Sequence, residues 1–365
     1  MIERDELAAW LRLLETPGLG RDAARKLLAA FASPHAVLAA SAAALREVAG
    51  PGAAKLLAEP AEGLATLIDT TLAWLRASEA GARHIITLGD PLYPPLLLET
   101  ADPPLLLYAQ GRAELLQAGG IAIVGSRNPT PQGRDTAQAF AATLSQAGLT
   151  VVSGLALGID GAAHAGALQG PGSTIAVVGT GLDIVYPKRH RELAHRIAEQ
   201  GLLLSEYSIG TPSMAQNFPL RNRIIAGLTG GTLVVEAAVQ SGSLITARLA
   251  SEAGRDVFAI PGSIHSPQSR GCHWLIKQGA KLVDSAQDVL EELQPGTAAG
   301  PSPVNDDAPA DPLLDALGYE PVSLDALVAR TGCSAAELSS RLLELELDGH
   351  VARLAGQLFQ RVGLG

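Results

Sequence analysis

Arg127 is the residue of this chain that packing explains least. It stands in Gly125-Ser126-Arg127, directly after the apolar run Ile121–Val124, on a strand-end turn that has little structural use for a guanidinium. Small residues let a backbone approach an anion, hydroxyls donate to its oxygens, and arginine offers a planar fork that matches phosphate. The same mixture recurs at Ser153-Gly154 through Gly158-Ile159-Asp160, at Gly179-Thr180-Gly181 with Tyr186-Pro187-Lys188, at Asn217-Phe218-Pro219-Leu220-Arg221-Asn222-Arg223, and at Ser241-Gly242-Ser243. The candidate phosphate contacts are therefore Gly125, Ser126, Arg127, Lys188, Arg221, Asn222, Arg223, Ser241, Gly242 and Ser243. Phe218 and Tyr186 are the aromatics available for base stacking, which contributes about 1–3 kcal/mol per base where it occurs. Some of these have structural alternatives: Ser241 and Ser243 could cap a helix, Arg223 could pair with Glu236 or Asp160, and Phe218 could be core. The chemistry is binding, not bond breaking. No Ser-His-Asp spacing, H-x-x-x-H pattern or paired carboxylates stand out, so no catalytic residue, metal site or cofactor is expected, and His164 reads as structural.

The elements that must position these loops alternate. Apolar runs at Ile121–Val124, Leu149–Ser153, Thr174–Val178, Leu202–Ser205, Thr232–Val235 and Val257–Ile260 read as buried strands. Helical patterns from about Gly133, at Ile159–Leu168, at Lys188–Gln200 and at Ser243–Ala253 lie between them. Such alternation predicts an α/β fold, a parallel sheet with right-handed crossovers, helices on both faces and function at the strands' carboxyl ends. The Gly125 turn lacks the later glycines of a dinucleotide fingerprint, so it reads as a phosphate site of another kind.

Residues 1–82 read as an all-helical module resembling sterile-alpha-motif or helix-hairpin-helix units. Its Pro17-Gly18-Leu19-Gly20 turn could present N–H groups, with Arg21, Arg25 and Lys26, to DNA phosphate, or could simply join two packed helices. The sheet domain is expected over 83–293, opening with a proline-rich lead-in whose Ile85–Leu88 and Leu105–Tyr108 are short strands. A proline-rich linker follows at 294–312, then a winged-helix module over 313–365. The would-be recognition helix of that module carries Glu337, Glu344, Glu346 and Asp348 against Arg341, which would repel phosphate and suits protein contact better. Within Cys272–Lys277, Trp274 and Ile276 suit a symmetric dimer contact if exposed and core if buried.

Composition sets outer limits. The 365 residues are 47% hydrophobic, enough for a large core, and two cysteines without metal-ligand spacing fit a reducing, cytoplasmic setting. A charged start argues against a signal peptide, and no run of about 18 apolar residues suggests a membrane span. The net charge of −10 opposes nucleic-acid binding, but its distribution is uneven. Ile121–Val283 holds 13 Lys and Arg against 9 Asp and Glu, a net +4 between acidic flanks.

Seven stretches in order resemble the DNA processing protein A (DprA/Smf) family: IVGSR ending at Arg127, SGLALGIDGAAH (153–164), GTGLDIVYPK (179–188), FPLRNRIIAG (218–227), SGSLITARLA (241–250), DVFAIPG (256–262) and GCHWLIKQGAKLV (271–283). The resemblance covers most of Ile85–Leu293. It implies a bacterial cytosolic protein that binds and protects single-stranded DNA through an extended Rossmann-like fold and loads the RecA recombinase onto it during natural transformation. It also implies a homodimer through the sheet domain, with His273, Leu275 and Ile276 in the matching segment. Where some relatives carry a lysine before FPxRN this chain has Met214-Ala215-Gln216-Asn217, which shifts weight to Arg221 and Arg223. A second reading is enzymatic. Thr229-Gly230-Gly231-Thr232 followed by Glu236 is similar to the glycine-rich motif of nucleoside-monophosphate phosphoribohydrolases, but it lacks a proline and a glycine, and the glutamate is displaced by one residue. A winged-helix transcription factor is disfavoured by the acidic helix.

Overall fold

The structure, a computed structural model, describes residues 2–77, 81–294 and 311–362. The expected linker at 294–312 therefore falls almost wholly outside the described residues.

The β-branched and leucine-rich runs assemble into one nine-stranded sheet. Its strands are β1 (Arg83–Thr87), β2 (Leu106–Gly111), β3 (Gly120–Gly125), β4 (Thr150–Ser153), β5 (Thr174–Val177), β6 (Leu202–Ser205), β7 (Gly231–Val235), β8 (Asp256–Ala259) and β9 (Lys281–Leu282). The spatial order is β1-β2-β6-β5-β4-β3-β7-β8-β9, parallel from β6 to β9, with β1 and β2 added antiparallel at one edge. The proline-rich lead-in is thus part of the sheet.

Alternate residues of β3 show why its run is uniformly apolar. Ile121 and Ile123 pack with the helices Pro131–Gln146 and Ile159–Ala167, while Ala122 and Val124 pack on the opposite side with Asn217–Gly227, Gly242–Glu252 and Arg270–Lys277. With both faces covered, no position is left for a polar residue. Chain order runs outward from β3 through β4, β5 and β6, then returns to place β7 on the other side of β3. That reversal is the topological switch point, where an open α/β sheet leaves a crevice at its carboxyl ends.

Six helices, Arg4–Glu15, Arg21–Phe31, Pro34–Ala39, Ala42–Ala49, Ala53–Ala58 and Leu64–Arg76, precede the sheet. Their core is continuous with it: Leu7, Trp10, Leu27 and Trp74 share one cluster with Leu106, Tyr108, Ala176 and Leu203. Trp74 meets Tyr108 edge-on at 5.9 Å. At the other end, the helices Pro312–Leu317, Leu324–Thr331 and Ala335–Leu347 pack on a three-stranded antiparallel sheet of Val322–Ser323, Val351–Leu354 and Leu358–Arg361, a winged helix with its own core around Leu327, Leu342 and Phe359. It touches the sheet domain through Gln360, whose Nε2 donates to Gln132 Oε1 at 3.1 Å.

Two segments differ from their sequence reading. Lys188–His190 is a single 3-10 turn, and the helix begins at Arg191. The FPLRN stretch, read as a loop, lies in the helix Asn217–Gly227. Pro219 is its third residue, where a missing N–H costs nothing because first-turn N–H groups have no helical partner.

Candidate nucleic-acid interface

The crevice at the switch point is a cavity of about 510 Å³. Its walls come from the loop after β3 (Gly125, Ser126, Arg127, Asn128), the loop after β7 (Ser241, Gly242, Ser243), and the helix Asn217–Gly227 (Phe218, Arg221, Asn222). Eight of the ten sequence candidates therefore meet in one place.

Their roles differ once the contacts are known. Gly125 is required by the fold: a Cβ there would lie 1.9 Å from Val235 O, so glycine lets β3 turn out beside β7. Ser126 is buried, its Oγ accepts from Asn128 N at 3.1 Å, and its carbonyl accepts from Ile159 N at 3.1 Å, which ties the turn to the next helix. Ser241 caps the helix Gly242–Glu252, accepting from Ser243 N at 3.3 Å, and its hydroxyl lies 2.6 Å from that of Ser243. Arg127 is exposed, and no carboxylate among the described residues pairs with it.

Arg221 lies beneath the floor of the crevice. It is 4% exposed, and its Nη2 donates to Gly154 O at 2.8 Å, while Nε and Nη1 have no hydrogen-bond partner among the described residues. A Cβ at Gly154 would fall 1.7 Å from Nη1, so any larger residue there has to displace the Arg221 guanidinium. Burial pushes the Arg221 guanidinium down to about 10, opposed by the nearby Asp160. Burial likewise raises the Asp160 carboxyl, although Arg221 and the N–H groups of Gly154 and Ala156 draw it back down. Arg127, by contrast, is exposed at the mouth, with no carboxylate paired to it among the described residues.

Arg223 does not join them. Residues two apart on a helix point to different faces, so Arg221 and Arg223 cannot both reach the crevice. Arg223 instead pairs with Glu206 at 2.5 Å and Asp102 at 2.8 Å, in a cluster completed by Arg21 and Arg25 of the N-terminal helices. The partners named for it from sequence, Glu236 and Asp160, are not the ones it takes. Burial works to raise the Asp102 carboxyl, but Arg223, Arg21 and Arg25 together hold it below the usual carboxylate range. The same contacts, with Lys26 paired to Asp22 at 2.8 Å, neutralise the basic residues of the Pro17–Gly20 hairpin. That hairpin joins packed helices.

Lys188 is exposed and lies outside the crevice wall, on the loop that carries Tyr186. The Tyr186 ring is 5.3 Å from that of Phe218, so this loop continues the crevice rim and presents a half-exposed aromatic pair. Two histidine contacts, one of them buried, join this loop to Leu155 and Leu155 to the next helix. Leu155 sits in the left-handed region at φ 57, its N–H donating to His164 Nε2 at 3.2 Å and its carbonyl accepting from His190 Nδ1 at 3.0 Å. His164 is structural, and burial pushes it down to about 3.

The N-terminus of the helix Pro131–Gln146, which follows the Gly125 turn, is already filled. Glu236 Oε2 accepts from Thr130 N at 2.9 Å and its Oε1 from Thr130 Oγ1 at 2.5 Å. An internal carboxylate occupies the positive end of the helix Pro131–Gln146. Asn128, Gln240 and Gln268 also line the crevice; isolated amides gave no sequence signal.

A sequence profile described as DNA recombination-mediator protein A matches residues 84–294. The chain belongs to the DNA processing protein A family. A DprA winged-helix profile matches residues 297–357. Protein Smf of Escherichia coli K12 is 45% identical over 300 residues, 79% of each chain, and Protein Smf of Synechocystis is 36% identical over 98% of this chain and 99% of its own. The X-ray structure of DprA from Streptococcus pneumoniae superposes with a TM-score of 0.68 at 40% identity, covering 80% of this chain and 99% of that one. A Helicobacter pylori DprA structure, titled for that protein's single-stranded DNA binding mode, aligns at TM-score 0.54 and 30% identity over 58% of this chain and 96% of that one.

Among family-motif residues nominated for dimer contact, Leu275 is core, Ile276 is partly buried against that core, and His273 donates from Nε2 to Gly262 O at 2.8 Å. The large apolar side chains exposed nearby are Trp274 at 48%, Leu282 at 47% and Ile264 at 74%. Among the described residues no helix is long and apolar enough to cross a membrane.

Proposed function

We propose that this protein binds single-stranded DNA through its sugar-phosphate backbone, without sequence preference and without chemical turnover. The observation that carries this reading is Arg127, unpaired among the described residues, at the mouth of a switch-point crevice lined by hydroxyls and amides. The Phe218–Tyr186 pair at the rim adds a sequence-tolerant stacking platform of the kind that suits unpaired bases. Membership of a family with a Helicobacter pylori relative titled for single-stranded DNA binding supports the same assignment. The filled helix N-terminus argues against a nucleotide hydrolase, because Glu236 is committed to Thr130.

The family resemblance extends the proposal to protection of the strand, its transfer to the RecA recombinase and a part in natural transformation, all in the cytoplasm. Exposed Trp274 and Leu282 beside the short edge strand β9 support homodimerisation through the sheet domain. The test is fluorescence anisotropy with labelled oligothymidylate, a mixed-sequence strand and its duplex. Both single strands bind comparably and the duplex binds more weakly; a preference for duplex, or for one sequence, refutes the assignment.

A further inference from the structure

A second trough lies on the far side of Arg127. It is a cavity of about 550 Å³ bordered by Arg127, Arg134, Arg189 and His190, with Gly161 and Ala165 in its floor. All three arginines are exposed, no carboxylate, Phe, Tyr or Trp lines the trough, and none of the three is ion-paired among the described residues. Arg127 and Asn128 belong to both cavities, so the Gly125 turn is a ridge between them. Arg134 comes from the helix Pro131–Gln146, and Arg189 from the turn that carries Lys188.

The geometry points to this trough as a second backbone-binding segment for the same DNA strand, with Arg134 and Arg189 taking phosphates beyond Arg127. This rests on the reading of the crevice as a single-strand site. Arg127 decides between a strand and an unrelated small anion. A continuous polyanion engages the ridge guanidinium once as it passes from one cavity to the other, whereas two separate anions would compete for it. The lack of Phe, Tyr and Trp, with the one imidazole, His190, held by Leu155 O, sets the division of labour. Bases can stack at Phe218 in the crevice, but the trough holds only the sugar-phosphate chain, so contacts there are purely electrostatic.

The test compares wild type with the Arg134→Ala/Arg189→Ala double variant on oligothymidylates of increasing length. It adds one long strand whose bases are replaced by abasic sites over one end or the other. The two proteins bind the shortest strands equally, and the double variant loses affinity only on longer ones. On long strands its slope of log K against log salt is shallower by about 1.4, two contacts at about 0.7 each. The lysine counterparts Arg134→Lys/Arg189→Lys restore that slope. Abasic sites at one end weaken binding, while those at the other do not. If the double variant binds long strands with wild-type affinity and slope, or weakens short and long strands alike, the trough is not an extension of the site. If wild type binds no single strand of any length, the reading of the crevice fails and the trough falls with it. If Arg127→Ala flattens the slope on long strands and the Arg134→Ala/Arg189→Ala variant does not, the crevice reading stands and the trough is refuted.

Discussion

Arg127 and Arg223 are both nominated by sequence as phosphate contacts, and their surroundings assign them opposite behaviour. Arg127 is exposed and unpaired among the described residues, so its removal should leave stability within about 0.5 kcal/mol. The lost charge-assisted contact to phosphate is on the order of 1.5–3 kcal/mol, a roughly ten- to hundredfold weakening at low salt that is equal for all sequences. The salt slope also becomes shallower by about 0.7. The deficit therefore narrows by about 2.6-fold when salt is raised fourfold, a difference anisotropy titrations resolve. Arg223 is 11% exposed and holds Glu206 and Asp102, at 12% and 28% exposed. Removing one partner of a buried pair costs about 3–5 kcal/mol. Here Arg21 still reaches Asp102 at 2.9 Å and Glu206 at 3.3 Å, which brings the expected loss for Arg223→Ala to about 2 kcal/mol. Its salt slope should match wild type. An Arg127→Ala protein with the wild-type slope, or an Arg223→Ala protein of unchanged stability and flattened slope, would refute the assignment of the two arginines.

Four further expectations follow from the same contacts. His164 is a base whose folded value, about 3, lies below its ordinary 6.5, so the unfolded chain takes up a proton that the folded chain refuses. Its contribution to stability is present above pH 6.5 and lost as pH falls toward 3, at about 1.4 kcal/mol per pH unit, and urea midpoints of wild type and His164→Gln should diverge across that window. Gly154→Ala forces a Cβ to within 1.7 Å of Arg221 Nη1 and should cost about 1–3 kcal/mol by overpacking, so an unchanged denaturation midpoint would show that the guanidinium is not fixed there. Wild type should release no ribose 5-phosphate from AMP, and Glu236→Gln should lower stability by about 1 kcal/mol while leaving DNA affinity intact; turnover abolished by that substitution would revive the hydrolase reading. Leu282→Asp should shift the protein toward monomer in sedimentation without changing the affinity of one site for a short strand, whereas a wild type that sediments as a monomer defeats the dimer proposal.

Much of this was legible because it depends on local pattern. Strands buried on both faces have to be continuous in apolar residues, and the β3 run was one; the turn that follows has to be glycine, for a reason only the neighbouring Val235 carbonyl reveals. Charge roles were not legible, because a charge's partner need not be near it in sequence. Arg223 looks as free as Arg127 when read along the chain, yet its carboxylates are Glu206 and Asp102, the latter 121 residues away. Reading FPLRN as a loop compounded this, since a loop could turn both arginines to one ligand and a helix cannot. Glu236 shows the converse. Its spacing from the glycines suggested a catalytic carboxylate, but it closes the helix terminus that the opening motif had left available to a ligand. The protein neutralises the helix end with a residue just beyond β7 and leaves Arg127 unpaired among the described residues. The free charge that remains is a side chain on a ridge between two cavities, and a ridge suits a passing strand where a helix terminus would hold a single phosphate.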